Sequence, residues 1–271
     1  MDAYASFDLK SRVKPTAGVV PKPDLPAVTV AGQGVNLFTE GDVLQAVHDL
    51  LAAQTSFRLY TLNLDHAVKL RQSADFREAY AGAELITADG APIVHLARKA
   101  GAHVERVAGS DLIVPLCQLA AQQGWPVYVF GSRQQVLETA MGQLKAVAPG
   151  LQVAGLEAPA MGFDPNGEAA ADAIDRIAGS GARLCFLALG APKQELFAAH
   201  AARHPASAEA SVGYLCIGAG LDFIAGDVQR APKWMQTAGL EWLWRLSSEP
   251  KRLFWRYAQC AWEFGRLLRG Q

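Results

Sequence analysis

The sequence lacks most of what marks a metal, redox or membrane-spanning protein. Its four cysteines, Cys117, Cys185, Cys216 and Cys260, lie far apart in apolar stretches and form no C-x-x-C pair. Thiols of that kind are expected to be reduced and buried, in a cytosolic compartment. The six histidines have no metal-ligand spacing, so no metal site is expected. No apolar run reaches the roughly 18 residues needed to cross a bilayer. The N-terminus carries Asp2 and Asp8 and no hydrophobic signal core, so no secretory signal is expected. Net charge at pH 7 is -1, which supplies no global field to recruit nucleic acid or anionic lipid. Electrostatic binding must then come from a local patch, and nucleic acid is not an expected partner.

What is there is an ordinary globular composition, 51% apolar and 19% charged over 271 residues. That length suits one large α/β domain or one domain with an appendage. Residues 1–27 hold Pro15, Pro21, Pro23 and Pro26 with little periodicity, and read as a loosely packed arm. Beyond them short apolar strands alternate with helical patterns. Strands are expected at Val28–Val30, Phe57–Leu62, Leu85–Thr87, Val127–Phe130, Val153–Gly155, Leu184–Leu189 and Tyr214–Ile217. Helices fill the intervals, the first capped by Thr39 and another running from Asn63 to about Tyr80. This rhythm predicts a Rossmann-like, doubly wound α/β fold with a mainly parallel sheet. The core is expected over 28–237 and a C-terminal helical, membrane-binding appendage over 238–271.

Ligands of such sheets collect at the carboxyl ends of the strands. There the sequence places Thr61, Asn63 and His66, Asp89–Gly90, Gly131–Ser132, Gly190 with Lys193 and Gln194, and Gly218-Ala-Gly220 with Asp222. Each has a structural role open to it as well. Asp89 can act as a general base, its neighbour Gly90 letting the backbone approach a ligand, or it can cap the helix near Pro92. Asn63 and His66 can touch a ligand or serve the helix start. Arg106 suits phosphate, its planar fork giving paired hydrogen bonds, while Ser110 and Asp111 after it are natural helix caps. Gly131 and Gly218 fit phosphate approach to a helix N-terminus, or merely tight turns.

From Glu241 onward the composition shifts. This stretch holds Trp242, Trp244, Trp255 and Trp262 with Arg245, Arg252, Arg256, Arg266 and Arg269. A helix started by Pro250 aligns Leu253, Phe254, Tyr257, Ala261, Phe264, Leu267 and Leu268 on one face. Arg252, Arg256, Gln259, Glu263 and Arg266 fall opposite, with Trp255 and Trp262 near the boundary. Such a helix suits a membrane interface, a partner helix or packing on the core.

Six segments in order, "TLNLDH" (61–66), "ADG" (88–90), "RVAGSDL" (106–112), "LGAPKQE" (189–195), "GAGLDFIAGDVQRAPKWM" (218–235) and "GLEWLWRLSSEPKRL" (239–253), resemble the WecG/TagA/CpsF glycosyltransferase family. The resemblance covers about residues 28–256. It implies an inverting, metal-independent enzyme that needs no cofactor. Such an enzyme moves a hexose-type sugar from a UDP-sugar to a sugar on undecaprenyl diphosphate, for bacterial cell-surface polysaccharide. The absence of a D-x-D agrees with metal independence.

Carried onto this chain, the resemblance makes Asp89 the general base and places Thr61 and Asn63 in the same pocket. Gln194 binds sugar hydroxyls, and Arg106, Arg230, Arg245, Arg252 and Arg256 face phosphates or the membrane. Glucose and N-acetylmannosamine are the favoured sugars. The enzyme is expected on the inner face of the cell membrane, with self-association through the tail open to it. Two other classes compete. A nucleotide-dependent oxidoreductase should carry G-x-G-x-x-G after an early strand, which is missing. A non-catalytic membrane adaptor gives no reason to gather Asp89, Arg106 and Gln194 at strand ends.

Overall fold

A computed structural model describes residues 25–232, 234–235 and 239–270. Most of the proline-rich arm, and the expected boundary at 237/238, lie outside the described residues. A small antiparallel hairpin, β1 (Val28–Val30) with β2 (Gln33–Val35), precedes the main sheet. Val28–Val30, expected within the β-α alternation, pairs instead with β2, a strand outside the expected set. Helix α1 (Glu40–Ala52) follows, its start fixed by a reciprocal capping box between Thr39 and Asp42.

Six strands then form one parallel sheet: β3 (Phe57–Leu62), β4 (Leu85–Ala88), β5 (Val127–Gly131), β6 (Val153–Glu157), β7 (Leu184–Ala188) and β8 (Gly213–Cys216). Their order is β4-β3-β8-β7-β5-β6, with every neighbouring pair parallel. The Rossmann-like α/β architecture is therefore the observed one. Between β3 and β4 the single expected helix is two, α2 (Leu64–Gln72) and α3 (Ala74–Ala81). Ser73 is extended, ends the first and caps the second by accepting from Phe76 N. The remaining crossovers use α4 (Ala91–Lys99), α5 (Gly109–Gln123), α6 (Gln134–Val147), α7 (Glu168–Gly179), α8 (Lys193–Arg203) and α9 (Pro205–Ala210).

Successive strand residues point to opposite sides, and both sides are apolar, as a sheet covered on two faces requires. Tyr60, Phe130, Cys185 and Tyr214 pack one way, with Phe76 and Tyr80 of α3, Ile174 of α7 and Phe197 of α8. Leu59, Val129, Phe186 and Leu215 pack the other way, with Val43 and Val47 of α1, Leu112 and Leu116 of α5, and Leu137 of α6. All four cysteine thiols are free and buried.

After β8 come a short helix, α10 (Gly220–Ile224), then α11 (Glu241–Ser248) and α12 (Pro250–Leu268). The last packs across α2 and reaches α4. Its inward face differs from the expected one. Leu253, Cys260 and Glu263 are buried, while Phe254 is 57% exposed. Glu263 was expected on the polar outer side. It turns inward because Arg71 Nε (3.1 Å) and Arg266 Nη2 (2.6 Å) both donate to it, which compensates a buried carboxylate. Trp255 and Trp262 stand outward, 74% and 58% exposed. No described helix is long and apolar enough to cross a membrane.

Candidate active site

A cavity of about 650 Å³ opens at the carboxyl ends of β3, β4, β7 and β8, roofed by α11 and α12. This is where a doubly wound sheet leaves a crevice, since its crossovers diverge there. Thr61, Asn63, His66, Asp89, Gly90, Arg106, Gly190, Gln194 and Gly218 line it from the core. Arg245, Arg252 and Arg256 line it from the appendage. Residues more than 150 positions apart in sequence thus converge on one space.

Asp89 follows β4, its N–H bonded to Leu62 O across the β3–β4 edge. It does not cap α4. Gly90 holds the N-cap position at φ 84, with no side-chain cap, which leaves the Asp89 carboxylate for the cavity. Burial pushes that carboxyl up to about 6 against the pull of Arg106, and the charges of Glu241 and Asp111 push the same way. A hydrogen bond from Asn63 opposes the rise. Asn63 also caps α2, its Oδ1 accepting from His66 N at 3.0 Å, so the helix-start role is the one observed while the residue lines the cavity. Arg106 Nη1 stands 3.9 Å from Asp89 Oδ1.

Beneath the floor lies a buried polar network. His66 Nδ1 is 2.6 Å from Tyr80 OH, and its Nε2 is 3.9 Å from Glu195 Oε1. Burial holds the imidazole down to about 3, so it is neutral near pH 7. Gln194 is 3% exposed. Its Nε2 donates to Glu195 Oε1 at 2.8 Å, and its Oε1 accepts from Gly218 N at 3.1 Å. Half of its bonding capacity holds the floor together, leaving one amide N–H and one carbonyl lone pair.

Four expected site residues lie outside the lining. Lys193 donates to Phe163 O at 2.8 Å. Gly131, at φ 122, is pressed against β7, where an added Cβ falls 2.5 Å from the Ala188 carbonyl carbon, so packing alone demands glycine there. Asp222 accepts a long hydrogen bond from Ser132 Oγ, 3.4 Å. Arg230 pairs with Asp111 Oδ1 at 2.5 Å and sits over the Phe223 ring.

The lining also includes Asp65, which follows the end of β3 beside Asn63, and groups with no expected site role, notably Ser110, Phe223, Glu241 and Tyr257. Asp65 and Glu241 were visible as charges inside "TLNLDH" and "GLEWLWRL". Phe223 and Tyr257 carried no signal beyond apolar periodicity. Asp65 bridges the two parts of the molecule. Burial raises its carboxyl, but Arg256, with Nε 2.9 Å from Asp65 Oδ1, and Lys69 outweigh this and hold it below the usual range.

The strand-end cavity of this parallel α/β sheet thus gathers three carboxylates, Asp65, Asp89 and Glu241, with four arginines, a lining suited to a polar, charged ligand. The chain matches the glycosyl transferase WecG/TagA/CpsF family over residues 28–271 and belongs to it. It is thus a glycosyltransferase, and the match includes the whole appendage, beyond the 28–256 of the sequence resemblance.

Proposed function

We propose that the chain is an inverting hexosyltransferase. It takes glucose or N-acetylmannosamine from a UDP-sugar and places it on a sugar carried by undecaprenyl diphosphate, in bacterial cell-surface polysaccharide synthesis. The observation that carries the reading is Asp89, a carboxyl raised to about 6 in the wall of the cavity. A base of that strength is ionised at neutral pH yet takes a proton more readily than an ordinary aspartate. It accepts the acceptor hydroxyl's proton as that oxygen attacks the anomeric carbon and the bond to the UDP oxygen breaks. One displacement of this kind inverts the anomeric centre.

Loss of UDP builds negative charge on the leaving diphosphate. Arg106, Arg245, Arg252 and Arg256 line the same space and supply cations for it, or for the diphosphate of the lipid acceptor. The enzyme works at the inner face of the cell membrane as a peripheral protein. Trp255 and Trp262 on α12 and Trp234, 65% exposed, offer the interfacial anchors. In domain terms, the core over 28–237 binds and reacts, and the appendage over 238–271 closes the site against the lipid surface.

The test is direct. The protein is incubated with undecaprenyl-diphosphate-linked N-acetylglucosamine or glucose and a panel of UDP-sugars, beside Asp89→Ala. UDP release with one pair, abolished in the variant, is expected. No release with any pair, or full activity in the variant, contradicts the reading.

A further inference from the structure

Asp111 does not cap its helix. α5 begins at Gly109 with Ala108 at the N-cap and no side-chain cap bond. The carboxylate is instead divided between two arginines. Arg106 Nη2 donates to its Oδ2 at 2.8 Å, and Arg230 Nη2 lies 2.5 Å from its Oδ1. Arg106 presents its other terminal nitrogen, Nη1, to Asp89 Oδ1 at 3.9 Å. Arg230 belongs to the stretch that leads to the appendage, and its Nε is 4.0 Å from Glu241, the first residue of α11. A chain of alternating charge therefore runs Glu241, Arg230, Asp111, Arg106, Asp89.

A guanidinium favours a two-pronged pair with a carboxylate, at hydrogen-bond distances below about 3 Å. At 3.9 Å Arg106 acts on Asp89 through its charge and makes no hydrogen bond to it. Arg106 released from Asp111 can close onto Asp89 and occupy the lone pairs that must accept a proton. We propose that Asp111 is a positioning residue, which divides its carboxylate between Arg106 and Arg230 and so keeps Arg106 beside Asp89 without letting it pair. The role rests on the reading of Asp89 as the general base. Because Arg230 meets the first turn of α11, the same carboxylate links the seating of the appendage to the state of the base.

The charged groups facing Asp89 are Arg106 just before α5, Asp111 in the first turn of α5 and Glu241 on α11. Asp65 and His66 on α2 share its cavity, as do Arg245 on α11 and Arg252 and Arg256 on α12. Of these only Arg106 makes a charge contact with the Asp89 carboxylate within 4 Å among the described residues.

The test is a titration of the Asp89 carboxyl carbon by NMR on the full chain, its signal assigned by loss in Asp89→Asn. It needs no substrate, so failure of the sugar-transfer reading leaves its result standing. The wild-type midpoint is expected near 6. Asp111→Asn should lower it by about one pH unit or more, since Arg106 closes in. In an Arg106→Gln background the same substitution should lower the midpoint clearly less, by the loss of the Asp111 charge alone. An equal drop in both backgrounds means that Asp111 acts only as a charge, and overturns the proposal. An unmoved midpoint in Asp111→Asn overturns it too. Arg230→Gln is the independent variant: it frees Asp111 to hold Arg106 alone and should raise the midpoint, whereas a fall contradicts the proposal.

Discussion

The side-chain carbonyl of Gln194 accepts a hydrogen bond from the backbone N–H of Gly218 at 3.1 Å. This one contact ties the first turn of α8 to the turn after β8, and so fixes two strand ends relative to each other. Gln194→Leu leaves that N–H and a buried oxygen of Glu195 without a partner. Such losses cost about 1–3 kcal/mol each. We expect a melting temperature lower by roughly 5 °C, and a fall in kcat/KM larger than the loss of folded protein explains. Unchanged stability with reduced activity would point to substrate contact alone.

Glu195 makes stability depend on pH with a definite sign. Burial pushes its carboxyl from 4.5 up to about 7 in the fold. The folded state thus holds its proton more tightly. That contribution is fully present below about pH 4.5 and is lost as pH rises through 7. Asp89, raised to about 6, acts in the same direction. His66, lowered to about 3, acts oppositely: its contribution is present above about 6.5 and is lost as pH falls towards 3. Glu195→Gln removes only the first of these. The variant's melting temperature relative to wild type should therefore climb between about pH 5 and pH 8, by roughly 5 °C. A difference flat across that range contradicts the assignment.

The outward tryptophans give the third prediction. Trp255 and Trp262 bury little within the fold, apart from the contact of Arg71 over the Trp262 ring at 4.8 Å. Replacing both by alanine should leave the circular dichroism spectrum and melting temperature nearly unchanged. Binding to vesicles containing anionic lipid should weaken roughly tenfold or more, because apolar area and interfacial aromatics carry such binding. Equal vesicle binding by the variant removes the appendage's proposed membrane role.

How much of this was legible beforehand depends on the range of the interaction involved. The strand Leu184–Ala188, buried on both faces, is legible as a continuous apolar run. The Thr39 cap, a contact over three residues, was equally readable. Ser73 was not, because a helix break without proline or glycine leaves little mark on periodicity. The tail's orientation failed for a different reason. Glu263 counts as polar in any wheel, yet its partner Arg71 lies 192 positions away and takes it inside. At the site, Asp89 and Asn63 were legible because each directly follows a strand, and Arg106 because it precedes a helix start. Lys193 sits at such an end too, but Phase and direction of its side chain, towards Phe163 O, follow from packing that sequence spacing does not encode.

In the proposed reaction Asp89 accepts the proton of the attacking hydroxyl. The most direct test is kcat/KM against pH for the wild type and Asp89→Asn, with the sugar pair found active. An acidic limb near pH 6 is expected for the wild type, and a roughly 100- to 10,000-fold loss in the variant, with the limb gone. An asparagine variant within a few-fold of wild type, keeping the same limb, would contradict it.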